Sequence, residues 1–197
     1  MAQTRDNKTI SEFKSRLLGG GARSNLFEVE LTTLPASVTF PWQAERFSFL
    51  CKAAQMPAMT IANIDVPFRG RIFKVAGDRT IENWTITIIN DEDFLFRNAF
   101  EEWTQQIAAL DDNMGSTNPS SYMVNAKVYQ LGRGSTQAST NNSGDANVVL
   151  KEYEFIDIFP ISVGAIDLSY ENSDSIEEYP VEFAVQSYRV NGAGSAG

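Results

Sequence analysis

The side chains of this chain that could do chemistry are carboxylates. Its 197 residues carry 25 Asp and Glu against 16 Lys and Arg, a net charge of −9, and no histidine. Glycoside hydrolysis needs two carboxyl groups facing each other across a cleft. The pairs here, Glu28 with Glu30 and Glu152 with Glu154, are spaced i, i+2 in strand-like stretches. That spacing puts both members on one face of one strand, a solvated face rather than an opposed pair. Asp111 and Asp112, beside Asn113 and Gly115, lack the remaining ligand positions of a calcium loop. Without histidine there is no Ser–His or Cys–His relay, and the commonest general base and metal ligand is missing. Cys51 is the one cysteine, so neither a disulfide framework nor a thiolate metal site can form within the chain. "LGRGSTQAS" (Leu131–Ser139) lacks the third glycine and following helix of a dinucleotide loop, and "GGGARSN" lacks the Gly-Lys-Ser/Thr of a phosphate loop. The expectation is no catalytic residue, no cofactor and no metal: a structural or binding module rather than an enzyme.

Charge and hydropathy narrow the partners. Tight binding of nucleic acid by counterion release needs clustered Lys and Arg, and an acidic chain repels DNA instead. No stretch reaches the roughly 18 apolar residues of a membrane span, and the polar start "MAQTRDNKTISEF" has no apolar signal core. A soluble protein of a reducing cytoplasm, with no membrane partner, is expected.

The elements that must position these residues are mostly strands. "NLFEVEL" (Asn25–Leu31) alternates Phe27, Val29 and Leu31 against Glu28 and Glu30. "RFSFLCKAA" (Arg46–Ala54) repeats the pattern with Phe47, Phe49 and Cys51, after a Pro-bearing connection. Pro57 to Arg71 reads as an extended excursion: Pro57 and Pro67 disfavour a central strand, and Gly70 marks a turn. With "RIFKVAG" it suggests a hairpin projecting from the body. A Gly-Asp-Arg turn (Gly77–Arg79) is expected next, its Asp side chain stabilising it. "NWTITII" then sets Trp84, Ile86 and Ile88 on one face, and Asn83, Thr85, Thr87 and Ile89 on the other.

Helical periodicity is plainest in Phe96, Phe100, Trp103, Ile107 and Leu110, a core-facing stripe whose helix is expected to begin at Asn90 or Asp91. A shorter helix, Thr9–Leu18, has a Thr9–Glu12 capping box and ends at Gly19–Gly21. "YMVNAKVYQL" (Tyr122–Leu131) and "VVLKEYEFIDIFP" (Val148–Pro160) flank the polar stretch Gly132–Asn147, expected to be a mobile loop. "GAIDLSY" and "YPVEFAVQSYRV" complete the sheet, and the tail is expected to fray. Eight or nine strands and two helices, mostly in adjacent antiparallel pairs, give a mainly β fold: an antiparallel β-sandwich or half-barrel with one flanking α-helix. The division expected is an N-terminal arm with a glycine hinge (1–24), a β-sandwich domain (25–190) and a tail (191–197).

Taken in order, "ARSNLFEVEL", "FSFLCKAAQMPA", "VAGDRTIENWTITIIND", "FRNAFEEW", "KEYEFIDIFPISVGAIDLSY" and "YPVEFAVQSY" resemble the tail-tube proteins of contractile-tailed bacteriophages, over roughly Arg23 to Tyr188. The resemblance implies a virion subunit assembled in the host cytoplasm. Hexameric rings, their sheets joined into one continuous inner barrel, stack into a hollow tube. The implied partners are further copies of the chain, the sheath protein, a tape-measure protein in the lumen, baseplate or hub proteins and a tail terminator. Double-stranded DNA passes through without specific binding. Candidate lumen-facing residues are Glu28, Glu30, Asn83, Thr85, Thr87, Glu152, Glu154 and Glu182; acidic or small polar groups would let phosphates slide. Candidate ring-stacking or inter-subunit residues are Pro57, Pro67, Phe68, Arg71, Asp78 and Arg79. Rival readings are the inner tube of a type VI secretion or extracellular contractile injection system, a carbohydrate-binding β-sandwich, and a hydrolase on a sandwich scaffold.

Overall fold

A computed structural model describes residues 9–17, 21–112, 114–133, 147–171 and 174–192. Most of the expected 132–147 loop, Gly19 and Gly20 of the hinge and the last five residues of the tail lie outside the described residues. The elements in chain order are α1 (Ile10–Arg16), β1 (Phe27–Glu30), α2 (Ala44–Leu50), β2 (Cys51–Gln55), β3 (Met59–Phe68), β4 (Arg71–Ile81), β5 (Trp84–Ile89), α3 (Leu95–Ile107), β6 (Val124–Arg133), β7 (Asn147–Val163) and β8 (Glu178–Gly192). Six strands form one antiparallel sheet in the order β1-β6-β7-β8-β5-β2, while among the described strands β3 and β4 pair only with each other. The sheet curls until its edge strands β1 and β2 approach within 8 Å, Cα to Cα, without pairing. The mainly β half-barrel expected from sequence is present.

The core fills the concave side. Alternation in β5 buries Trp84, Ile86 and Ile88 in full, as the sequence pattern requires. Tyr179, Val181 and Phe183 of β8 and Phe155 and Ile158 of β7 bury beside them. From α3, Phe96, Phe100 and Trp103 enter the same cluster, Phe100 and Trp103 lying about 6 Å, ring to ring, from Phe183. Trp42 closes it against Phe47, Phe96 and Phe100, and its indole N–H donates to Leu31 O at 2.6 Å. Bulges bend the long strands: Asp157 takes φ 55° where Phe155 and Ile158 both face inward.

Several expectations need correction. Arg46–Ala54 is not one strand: its first part belongs to α2 and only Cys51–Gln55 is β2. Helical period wins because Phe47 and Leu50 reach the core on one helix face, whereas Phe49, which alternation would pair with Phe47, is 78% exposed. Gly77–Arg79 is no turn but runs inside β4. A Cβ on Gly77 would lie 3.1 Å from Ala62 O and 3.2 Å from Ile64 Cγ1, beside a register shift between Ile61 and Asn63. The glycine serves that irregularity. Helix α3 starts at Leu95, after Phe94 in a left-handed conformation, so Asp91 and Asp93 sit in the preceding turn and bind Arg46, while Asp93 Oδ1 also accepts from Leu95 N–H at 3.2 Å. The stripe ends at Ile107, and Leu110 lies beyond the helix, exposed. "GAIDLSY" forms no strand. Three α-helices are described where two were expected; α1 does carry its Thr9–Glu12 capping box.

Candidate assembly surfaces

The eight candidate lumen residues fall into two groups. Val29 and Leu31 point into the core, so Glu28 and Glu30 point away from it. Pairing sets Glu28 opposite Tyr129 and Glu30 opposite Lys127; on the other side of β6, Tyr129 meets Glu152 and Lys127 meets Glu154. Four carboxylates therefore surround one ammonium and one phenol. Lys127 Nζ lies 3.0 Å from Glu152 Oε1, and the Tyr129 hydroxyl donates to Glu30 Oε2 at 2.7 Å. The hydrogen bond to Glu152 holds the Lys127 ammonium above its usual range, helped by the charges of Glu152, Glu154 and Glu30. Burial, then the hydrogen bond to Glu30, pushes the Tyr129 phenol well up. Neither Lys127 nor Tyr129 was singled out from sequence; both become visible only once β6 is registered between β1 and β7.

The second group lies on β5 and β8. Thr85 stands opposite Glu182 and Thr87 opposite Pro180, all on the face away from the buried Trp84–Ile88 row. Asn83 Nδ2 donates to Glu182 Oε1 at 2.7 Å, and Lys52 Nζ meets Glu178 Oε1 at 2.5 Å. β6 and β5 are three places apart in a six-stranded order that almost closes. On such a curled sheet their outward faces point to opposite sides. The structure brings Glu28, Glu30, Glu152 and Glu154 together on one wall and Asn83, Thr85, Thr87 and Glu182 together on the other.

The six candidate stacking residues lie on or at the root of the β3–β4 hairpin. Pro57 precedes β3, Pro67 and Phe68 end it, and Arg71, Asp78 and Arg79 lie on β4. Phe68 pairs with Arg71 across a two-residue turn, Arg69–Gly70, with φ 44° and 82°. Both positive φ values match the twist of a tight hairpin, and glycine takes the second without strain. No residue of either strand is buried. Registration puts Ile64 opposite Val75 and Val66 opposite Phe73, with Phe68 on the same face; Asp65 and Lys74 share the other. The hairpin is thus amphipathic, and its apolar face is left uncovered by the described residues: Phe68 and Phe73 are 65% and 66% exposed. Ile64, Val66, Phe73 and Val75 are not among the candidates taken from sequence, where the prolines and charges of this stretch stand out. Their alternation was readable, although the slip between Ile61 and Asn63 breaks it midway.

The remaining chemistry is sparse. Burial pushes the Cys51 thiol up to about 12, so no thiolate forms near neutral pH. Among the described residues no three His, Cys, Asp or Glu side chains converge as for a metal, and no helix is long and apolar enough to cross a membrane.

Comparison with known proteins shows the family. The family model for phage tail tube proteins matches residues 22–191. Tail tube protein gp19 of Enterobacteria phage T4 is 33% identical over 167 residues, covering 85% of this chain and 90% of its own. The tail tube protein of Serratia phage KSP90 is 26% identical, covering 87% and 90%. Among solved structures, a chain of the anti-feeding prophage baseplate superposes with a TM-score of 0.58 at 13% identity, covering 89% of this chain and 98% of that one. A chain of the sheath–tube complex of an extracellular contractile injection system gives 0.54 at 12%, covering 94% and 99%. These two share the fold. By the family match and the identity to gp19 across nearly its whole length, the chain belongs to the phage tail tube protein family, as a structural component of a contractile phage tail.

Proposed function

We propose that six copies form a ring, that rings stack through the β3–β4 hairpin into a hollow tube, and that double-stranded DNA passes through the bore unbound. The observation that carries this reading is the hairpin's unpartnered apolar face, because contiguous exposed apolar surface marks an interaction site. The open edges of β3 and β4 add unpaired backbone groups that a further copy can satisfy. A closing head-to-tail contact gives a ring, and a non-closing one a stack.

Of the two walls, the one on β5 and β8 is assigned to the bore. The hairpin runs directly out of β2 and into β5, so stacking through it extends this wall from ring to ring. Its Thr85, Thr87 and Asn83 are small and uncharged, and Glu182 adds negative charge that does not hold phosphates. The opposite wall, with Lys127 balanced among carboxylates, faces outward with α3 toward a contractile sheath. A tape-measure protein occupies the bore before DNA, and baseplate and terminator proteins meet the tube ends. Pro57, Pro67, Phe68, Arg71, Asp78 and Arg79 make the inter-subunit contacts.

Electron microscopy of the purified protein is the test: rings or tubes with a central hole are expected. Monodisperse monomers at every salt and protein concentration would sink the reading. Thr85→Lys with Thr87→Lys tests the wall assignment: intact tubes with slowed DNA release are expected, and unchanged release removes the assignment.

A further inference from the structure

Charge is not spread evenly over this acidic chain. The hairpin, residues 59–81, carries Arg69, Arg71, Lys74 and Arg79 against Asp65 and Asp78, a net +2, while the rest holds 12 basic and 23 acidic residues. Four of the body's 12 cations pair within the chain: Arg46 with Asp91 and Asp93, Lys52 with Glu178, Arg97 with Glu101, Lys127 with Glu152. None of the hairpin's four joins an ion pair among the described residues.

A second surface has the opposite character. The connection from β7 to β8, residues 164–177, holds Asp167, Glu171, Asp174 and Glu177 and no cation. Asp167, Glu171 and Asp174 are exposed and in no ion pair among the described residues. Apolar side chains stand out among them: Leu168, Tyr170 and Ile176 are all strongly exposed.

Strand β5 relates the two surfaces. The hairpin root closes at Glu82 N–H donating to Ala58 O, next to Trp84. The acidic connection ends where Ile89 pairs with Glu178 and Asn90 N–H donates to Glu177 O. Basic-apolar and acidic-apolar surfaces therefore lie at opposite ends of the same six-residue strand, about 20 Å apart. Surfaces complementary in charge and both partly apolar, at opposite ends of one molecule, dock copy onto copy in a repeating head-to-tail series.

We infer that the β3–β4 hairpin of one copy docks on the acidic connection between β7 and β8 of a second copy, with Arg69 and Arg71, beside Phe68 at the tip, meeting Asp167, Glu171 and Asp174. This rests on the tube reading and names the receiving surface within it.

The test is charge reversal with complementation. One variant carries Arg69→Glu and Arg71→Glu; the other carries Asp167→Lys, Glu171→Lys and Asp174→Lys. Every position is exposed, and circular dichroism checks that both variants fold. Each variant alone is expected to lose at least about tenfold of its sedimentable tube, and an equimolar mixture to recover it, because opposite charges then meet again. A hairpin variant that assembles as well as the unmodified chain overturns the proposal, as does a mixture that recovers nothing. Should both variants misfold, Arg71→Cys with Glu171→Cys decides: oxidation is expected to give a ladder of cross-linked copies, and its absence overturns the pairing. Unmodified protein that forms neither ring nor tube overturns the tube reading itself; unmodified tubes with indifferent variants overturn only the docking surface.

Discussion

The sheet body and the β3–β4 hairpin follow the same alternation rule and end in opposite environments. In the body, β5 buries Trp84, Ile86 and Ile88 to within 1% of full burial. In the hairpin, Ile64, Val66, Phe68, Phe73 and Val75 make an equally regular apolar face, and each is more than 40% exposed. The body has helices α2 and α3 to cover it, whereas among the described residues no helix covers the hairpin's apolar face. Alternation states which residues want burial; it does not state whether the partner belongs to the same chain. Changes in the body should therefore act on the stability of the single subunit, and changes in the hairpin on assembly.

The largest effect on stability is expected from Phe100→Ala. Phe100 is fully buried and lies within about 6 Å, ring to ring, of Trp42, Phe47, Trp103 and Phe183. Truncating a buried phenylalanine destabilises by about 3–5 kcal/mol, and denaturant unfolding of the subunit will measure it. A loss below about 1 kcal/mol would mean that the body does not carry its own stability.

Next is Gly164→Ala. Gly164 N–H donates to Pro180 O at 2.7 Å, and Arg97 Nη1 donates to Gly164 O at 2.5 Å. A Cβ there would stand 2.5 Å from Pro180 Cγ and 2.9 Å from its carbonyl oxygen, so β7 and β8 must separate. Overpacking of this kind destabilises by about 1–3 kcal/mol. An unchanged melting temperature would show that the approach of the two strands is softer than the geometry indicates.

The body was legible where period and burial coincide. Trp84, Ile86 and Ile88 announce β5, and Phe96, Phe100 and Trp103 announce α3. Reading failed where two periods fit one stretch, as at Phe47, Phe49 and Cys51, which alternate but fold first as helix. It failed again at Gly77, where glycine serves a bulge rather than a turn. For the assembly surfaces, residue types were readable but grouping was not. Glu28 lies about a hundred residues before Lys127 and further still before Glu152, and only strand register assembles them.

A smaller effect on the body is its response to alkali. Burial holds the Cys51 thiol up to about 12 in the folded subunit, above the usual 8–9 of an unfolded chain. A raised folded value means that stability is fully present below the unfolded pKa and is lost as pH rises through the folded one. The loss should begin near pH 9, before the raised Tyr129 and Tyr179 phenols contribute. Cys51→Ala should delay its onset, read from melting temperatures between pH 8 and 12. Parallel curves for the two proteins would place the alkaline loss elsewhere.

The smallest effect on subunit stability, and the sharpest on assembly, is expected from Phe73→Ser. Phe73 is 66% exposed, and across from it Val66 is exposed as well, so removing the ring leaves no cavity. Unfolding of the isolated subunit should shift by no more than about 0.5 kcal/mol, the range of surface substitutions. Stacking through the hairpin, as proposed, would bury the same ring against a neighbouring copy, and losing a buried aromatic at an interface weakens binding by about 2 kcal/mol or more, roughly thirtyfold per contact. Because that contact recurs at every subunit of a ring, the weakening compounds, and sedimentable tube should fall steeply while the melting curve stays in place. If Phe73→Ser instead lowers the melting temperature and leaves tubes intact, the hairpin is part of the body after all, and the division of labour between the two regions fails.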